Sequence, residues 1–213
     1  MHFDYTKKDD RVLYKISIPA IKAYANANYR ITCYGQENIP KKKRRLILAC
    51  NHISFTDPVV IISNFPYSVH FIAKSELFEK RLMAFLMSNF NAFPVRRGMS
   101  DRSAIRYACD ILNQDKILGI FPEGRRVRSA IPEKARRGVA FIAKRTGADV
   151  LPASLYIDVS EDVFRPKLTL RFGKVLKNTE LFRQAQSLDE VSDKIMNEIE
   201  KLWGLGHSGN QSG

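Results

Sequence analysis

The feature that most constrains the fold of this chain is the alternation of short apolar runs with segments of helical periodicity. Apolar runs of strand length lie at residues 30–35, 46–50, 69–73, 92–95, 117–121, 150–156 and 167–172. Helical patterns separate most of them, at residues 58–65, 81–90, 101–113 and 134–146, and a capping box from Ser187 to Glu190 begins a last helix. This alternation predicts an α/β domain with a mostly parallel central sheet flanked by helices.

The chain divides by pattern into three parts. Residues 1–29 form an N-terminal amphipathic helical segment, residues 30–203 the α/β domain, and residues 204–213 a polar, glycine-rich tail that we expect to be disordered. Pro19 predicts a kink or a division in the helical segment at residues 11–29. The apolar and basic residues of this segment suit either a helix in a membrane interface or one that covers a side of the domain.

The charge of the chain restricts its partners. A formal net charge of +13 favours nucleic acid, phospholipid headgroups, phosphorylated metabolites or an acidic carrier protein. The five consecutive cations at residues 41–45 suit anionic headgroups. The charge is the only feature that supports a nucleic-acid partner, since the sequence has no helix-turn-helix, zinc-ligand pattern or aromatic RNA-binding strand. We therefore expect an anionic membrane surface and no nucleic acid.

Cysteine use and hydropathy bear on the compartment. Cys33, Cys50 and Cys109 give no paired framework, which is typical of buried, reduced thiols in a reducing compartment. No run approaches the roughly 18 apolar residues of a membrane-spanning helix, and no signal peptide is visible. We expect a peripheral or monotopic protein on the cytoplasmic side of the cell membrane. Four scattered histidines offer no ligand spacing, so no metal site is predicted.

Two of the apolar runs end directly in chemically active side chains. Residues 46–50 lead into Asn51 and His52, and residues 117–121 lead into Pro122 and Glu123. Chemistry in parallel sheets gathers beyond the carboxyl ends of the strands, so we expect His52 and Glu123 in one cleft.

Asp57 follows His52 by five residues, a spacing that places the two on different faces of a regular helix. They meet only if residues 53–55 form a turn that folds Asp57 back. His52 would then be a general base that Asp57 orients. The alternative is that Asp57 and Pro58 are an ordinary helix start.

Four stretches together resemble the motifs of the glycerolipid acyltransferase family. They are residues 51–57, 93–98, 121–126 and 150–153, and the similarity spans about residues 30–160. It is closest to the bacterial lysophosphatidic acid acyltransferases. The resemblance implies the family's α/β fold and transfer of a fatty acyl group from acyl-CoA or acyl carrier protein to the hydroxyl of a lysophospholipid, with no tightly bound cofactor.

The resemblance also implies roles for individual residues. His52 is the general base and Asp57 its orienter, and Arg97 binds the phosphate of the acceptor. Glu123, Gly124 and Arg126 shape the acceptor site. Lys74, which precedes Glu-Leu-Phe as a recurrent lysine of the family does, is a candidate donor to the developing oxyanion.

Several alternatives remain open from the sequence. Arg125 stands where the family commonly has threonine or another small residue, so glycerol phosphate or a lyso-ornithine lipid is an alternative acceptor. Arg97 can instead be a structural partner of Glu123. No serine or cysteine is placed as a nucleophile beside His52, which favours direct attack by the acceptor alcohol. A basic lipid-binding or nucleic-acid-binding protein without catalysis leaves the His52 and Asp57 pair unexplained.

Overall fold

A computed structural model describes residues 12–95, 101–127, 131–160 and 162–208. Its strands are β1 Arg30–Tyr34, β2 Leu46–Cys50, β3 Val69–Lys74, β4 Ala92–Val95, β5 Ile117–Ile120, β6 Asp149–Asp158 and β7 Lys167–Phe172. Its helices are α1 Val12–Asn28, α2 Asp57–Asn64, α3 Arg81–Asn89, α4 Arg102–Asn113, α5 Gly138–Thr146, α6 Asn178–Phe182 and α7 Leu188–Ser208.

The seven strands form one sheet in the order β1-β7-β6-β2-β5-β3-β4. Every neighbouring pair is parallel except β6 and β7, so the predicted mostly parallel sheet is confirmed. Strands β2 to β6 therefore all end at one edge of the sheet, which we call the carboxyl edge. The opposite edge, where these five strands begin, is the amino edge.

Helices cover both faces of the sheet, and β2 shows why its sequence is apolar throughout. Ile47 and Ala49 face a core that includes residues of α4, α5 and α7. The alternate residues of the same strand, Leu46, Leu48 and Cys50, face a second core that includes residues of α1 and α2. A strand that is buried on both faces has no position for a polar side chain until it leaves the sheet.

Helix α1 covers one side of the domain. Tyr14, Ile21 and Ala25 are buried on its inner face, and the helix packs against α2. It is continuous through Pro19, so the division that the sequence allowed there is not found. Ile16 and Tyr24 stay exposed on the outer face. Residues 1–11 of the predicted N-terminal segment lie outside the described residues.

Two predicted boundaries are wrong. The helix predicted from residue 134 begins at Gly138, because the backbone N–H groups of Glu133 and Arg136 bond to Glu123 and to the carbonyl of Pro122. Helix α7 continues to Ser208, past the predicted start of a disordered tail at residue 204. An Arg171 guanidinium N–H donates to the Leu205 carbonyl at 3.4 Å and ties the end of α7 to β7.

Among the helices in the described ranges, none combines the length and the apolar character that crossing a bilayer requires.

Candidate active site

Asn51 ends β2 and directs the chain out of the sheet. Its side-chain oxygen accepts the Leu155 N–H at 2.8 Å, and its side-chain N–H donates to the Leu155 carbonyl at 2.9 Å. The amide is fully buried and replaces one backbone unit of the ladder between β2 and β6. The main chain can therefore turn away at His52, on the carboxyl edge, without leaving β6 unpaired.

His52 and Asp57 are hydrogen-bonded to each other. The distance from His52 Nδ1 to Asp57 Oδ2 is 2.7 Å, and the same oxygen accepts the N–H groups of Ile53 at 2.7 Å and Ser54 at 2.8 Å. Asp57 is fully buried at the start of α2. The turn that the spacing required is therefore present. A carboxylate at Nδ1 favours the proton on that nitrogen and leaves Nε2 as the acceptor.

A stack of aromatic rings holds the plane of the imidazole. The Phe121 ring lies 4.0 Å from the His52 ring with 16° between their planes, and Phe71 stacks behind Phe121 at 5.6 Å. Phe71 in turn lies against Gly119 of β5, where a Cβ atom would come within 2.4 Å of the ring. Gly119 thus leaves the room in which the stack forms.

Glu123 connects the turn that follows β5 to the turn that follows β2. Its Oε2 accepts the backbone N–H of His52 at 2.8 Å, and its Oε1 accepts that of Glu133 at 3.4 Å. The Val127 N–H donates to the His52 carbonyl at 2.8 Å. His52 and Glu123, which the sequence predicted in one cleft, are therefore in direct contact at the carboxyl edge. Burial raises the pKa of Glu123 to about 7, against the lowering effect of the hydrogen bonds from His52 and Glu133.

The chemistry that this arrangement permits is proton transfer by an oriented imidazole. Burial, followed by the nearby carboxylates of Asp57 and Glu123, raises the pKa of the neighbouring Cys50 thiol well above its usual range. The thiol is therefore no ready nucleophile, since thiolate is the reactive form. Within the described ranges, no group of three or more His, Cys, Asp or Glu side chains is arranged to hold a metal ion.

The residues of this site fall within a stretch that matches a known protein family. Residues 30–156, more than half of the chain, match the family described as Acyltransferase. The chain belongs to the acyltransferase family. The resemblance found in the sequence is thus confirmed. The chemistry of this family needs no tightly bound cofactor, because the acyl donor is a co-substrate.

Several proteins are similar to this acyltransferase over most of its length. It is 27% identical over 202 residues to the 1-acyl-sn-glycerol-3-phosphate acyltransferase of Bacillus subtilis, covering 89% of this chain and 100% of that one. It is 26% identical over 182 residues to the enzyme of the same name from Streptococcus pneumoniae, covering 83% and 66%.

The fold is also that of a solved structure. The crystal structure of the 1-acyl-sn-glycerophosphate (LPA) acyltransferase PlsC from Thermotoga maritima superposes with a TM-score of 0.72 at 23% identity. The superposition covers 94% of this chain and 82% of that one. At this identity the comparison shows the α/β fold, which agrees with the fold predicted from the sequence.

The other predicted site residues of this acyltransferase lie on or near the carboxyl edge where they are described. Lys74 ends β3, two strands from β2 and so roughly 10 Å across the sheet. Its Nζ is 2.7 Å from Glu76 Oε1, and the side chain is half exposed. Arg126 is exposed in the turn after β5, and Gly124 in that turn has φ 70°. Arg97 lies outside the described residues, as does its alternative pairing with Glu123.

Sequence reasoning missed several groups that position His52. Four of them are Asn51, Phe71, Gly119 and Phe121. The others form a chain of hydroxyls, in which Tyr29 Oη is 2.7 Å from Thr56 Oγ1 and Thr56 Oγ1 is 2.9 Å from Ser54 Oγ. A glycine inside the apolar run of β5 was the one available signal, because such a glycine often marks close approach of another group.

A cavity of about 430 Å³ lies away from this site. It is lined by Lys22 and by parts of residues 36–41 and 63–67, which precede β2 and β3 at the amino edge. The length of the strands separates it from His52 at the opposite edge. It is not part of the candidate active site.

Proposed function

We propose that this chain transfers a fatty acyl group from a thioester donor to the sn-2 hydroxyl of lysophosphatidic acid, which gives phosphatidic acid. The names of the relatives from B. subtilis and S. pneumoniae support lysophosphatidic acid as the acceptor. The observation that carries the chemistry is the bond between His52 Nδ1 and the buried Asp57, at the sheet edge where parallel sheets place their active sites.

The proposed reaction is a direct displacement. His52 Nε2 takes the proton of the acceptor hydroxyl while its oxygen attacks the thioester carbonyl, and the tetrahedral intermediate then breaks its C–S bond. The proton passes from the imidazolium to the departing thiolate, so an ester and a free thiol result. Asp57 orients the ring and stabilises its cationic form. The protonated state of the buried Cys50 argues against a cysteine acyl-enzyme.

The remaining predicted residues either bind the substrates or support the site in this proposal. Arg97 and Arg126 hold the acceptor phosphate, since a guanidinium can donate two parallel hydrogen bonds to it. Lys74 or the N–H groups at the start of α2 stabilise the oxyanion. Glu123 and Gly124 maintain the turn that supports His52. Glu123 is only 3% exposed and its carboxylate bonds to main-chain N–H groups, so it acts through the backbone of His52.

The donor is either acyl-CoA or an acyl carrier protein, and the net charge of +13 suits both anionic donors. The same charge suits the cytoplasmic surface of an anionic membrane, where we place the chain as a peripheral protein. The N-terminal segment at residues 1–29 is then one part of the membrane-facing surface.

The test is identification of the product from a panel of acceptors. The purified chain is given labelled acyl-CoA or acyl carrier protein with lysophosphatidic acid, glycerol 3-phosphate, lyso-ornithine lipid or lysophosphatidylcholine, and the lipids are separated by thin-layer chromatography. We expect labelled phosphatidic acid from lysophosphatidic acid and little product from the others. Acylation of another acceptor in place of lysophosphatidic acid would overturn the proposed substrate.

A further inference from the structure

The loop that joins β6 to β7 carries three exposed apolar side chains. The exposed fractions are 56% for Val159, 75% for Val163 and 97% for Phe164, and we call these three the apolar tip. Single exposed apolar residues are normal, but three on one short loop are typical of a contact surface. Strand β6 neighbours β2 and ends on the carboxyl edge, so the apolar tip lies on the side of the sheet that carries His52.

Two carboxylates accept three of the backbone N–H groups of this loop. Asp162 Oδ1 accepts the N–H groups of both Phe164 and Arg165 at 3.0 Å. Asp158 Oδ1 accepts the N–H of Ser160 at 2.9 Å. An unbonded N–H is costly to move out of water, so these bonds make the tip better suited to an environment of low polarity.

Cations lie at the base of the apolar tip. Arg165 donates from Nε to the carbonyl of Asn26 at the end of α1, at 3.0 Å. Arg30 and Lys167 are close enough to Asp158 to help to lower the pKa of its carboxyl, after the hydrogen bonds from Ser160. Apolar side chains with cations behind them match a lipid interface, where acyl chains lie beneath a layer of phosphates.

We propose that the apolar tip inserts into the surface of a lipid bilayer and holds the carboxyl edge of the sheet against the membrane. This inference rests on the proposed function, because a lipid acceptor would then reach His52 from the bilayer. A carrier protein would need a protein interface, so it fits the tip less well than a bilayer does. Three side chains also offer far less than the about 800 Å² that each partner buries in a standard protein interface.

The first test is binding to vesicles. Phe164→Ser is compared with the full-length wild-type chain by flotation with vesicles of phosphatidylcholine and phosphatidylglycerol, at low and at high salt. We expect Phe164→Ser to bind about tenfold more weakly at both salt concentrations, because the lost contact is apolar. Leu205→Ser is the matched control, since Leu205 is 58% exposed but lies on α7, outside the loop that carries the apolar tip. Equal binding by the wild type and Phe164→Ser would overturn the proposal.

The second test separates this inference from the proposed function. Acyl transfer is measured with long-chain lysophosphatidic acid in vesicles and with a short-chain analogue dissolved as monomers. We expect Phe164→Ser to lose rate only on the vesicle substrate. Equal losses on both substrates would show a role inside the site and overturn the membrane contact. A third outcome is that the wild-type chain acylates neither substrate while Phe164→Ser still binds vesicles more weakly than the wild type. That result would uphold the membrane contact and refute the proposed function.

Two further measurements test whether the apolar tip binds a second copy of the chain or acyl carrier protein instead of a bilayer. If the apolar tip joins two copies of the chain, the wild type will be a dimer and Phe164→Ser a monomer in the absence of lipid. We expect no such shift, and its observation would overturn the membrane contact. A loss of binding to acyl carrier protein in Phe164→Ser, with vesicle binding intact, would overturn it as well.

Discussion

Separate contacts hold the imidazole ring and the main chain of His52 in place. Asp57 bonds to the ring nitrogen, Phe121 stacks on the ring face, and Glu123 and Val127 bond to the main-chain N–H and carbonyl. Its side chain nevertheless remains 13% exposed. Such a group is held in one orientation before the substrate arrives, which lowers the entropy that must be lost during reaction.

Glu123 gives the first prediction, which concerns pH. The pKa of Glu123 is about 7 in the folded chain and near 4.5 ordinarily, so the folded state binds this proton more tightly than the unfolded state. The stabilisation is present below pH 4.5 and is lost as the pH rises to about 7. We expect the free energy of unfolding of the wild type, relative to that of Glu123→Gln, to fall by about 3 kcal/mol over that interval.

Denaturant unfolding of both proteins at several pH values measures this difference. Glutamine does not titrate, so the other ionisable groups contribute equally to the two curves. A constant difference between pH 4.5 and pH 8 would contradict the raised pKa of Glu123.

Gly124 and Gly147 give a matched pair of variants. Both have φ near 70°, which costs an alanine about 1–2 kcal/mol, and a Cβ at Gly147 would meet no atom within 4 Å. A Cβ at Gly124 would also lie 2.8 Å from Arg136 Cδ, in the turn that supports His52. We expect both alanine variants to lose similar stability, but only Gly124→Ala to lose activity, by about tenfold or more. Equal activities of the two variants would contradict the supporting role of this turn.

Part of the site could be predicted from residue types and spacing. His52 and Glu123 come together because polar residues that follow parallel strands meet at one edge, and the turn at residues 53–55 adds Asp57. The aromatic stack could not be predicted, because it depends on the register that places Phe71 opposite Gly119. The bond between Asn51 and Leu155 likewise depends on the pairing of β2 with β6, 104 positions away along the chain.

At the scale of elements, α1 is coupled to the turn that holds His52. Tyr29, just past the end of α1, bonds to Thr56, and Thr56 bonds to Ser54, whose N–H is held by Asp57. Any movement of α1 against α2 therefore acts on the turn between His52 and Asp57.

Removal of one hydroxyl tests this coupling. Tyr29→Phe loses the bond to Thr56, and Tyr67→Phe loses a comparable bond of 2.8 Å to the Pro40 carbonyl at the amino edge. We expect each variant to lose about 1 kcal/mol of stability. Steady-state kinetics should show a severalfold fall in kcat for Tyr29→Phe alone. The same kcat in both variants would show that α1 has no influence on the turn.

Most elements could be predicted from periodicity, and the errors have tertiary causes. The segment before α5 has helical character, yet its N–H groups bond to the turn after β5 and leave the helix to begin at Gly138. The end of α7 contains glycines, yet contact with β7 extends the helix to Ser208. Neither contact leaves a local signal in the sequence.

At the scale of the whole molecule, charge and apolar surface make separate contributions to membrane binding. The formal net charge of +13 attracts anionic lipid over a distance that salt shortens, to about 10 Å at 0.1 M. We expect binding to phosphatidylglycerol vesicles to weaken steeply with added salt, as flotation will measure. Stronger binding to duplex DNA than to these vesicles at the same ionic strength would contradict a membrane partner.

The rate of acyl transfer by His52→Ala tests most directly whether His52 is the general base. If the imidazole accepts the proton of the acceptor hydroxyl, the variant will transfer acyl groups to lysophosphatidic acid about a hundredfold more slowly or worse. Its circular dichroism spectrum and its binding to vesicles should match those of the wild type. A folded His52→Ala protein that acylates at the wild-type rate would contradict the role of His52 as the general base.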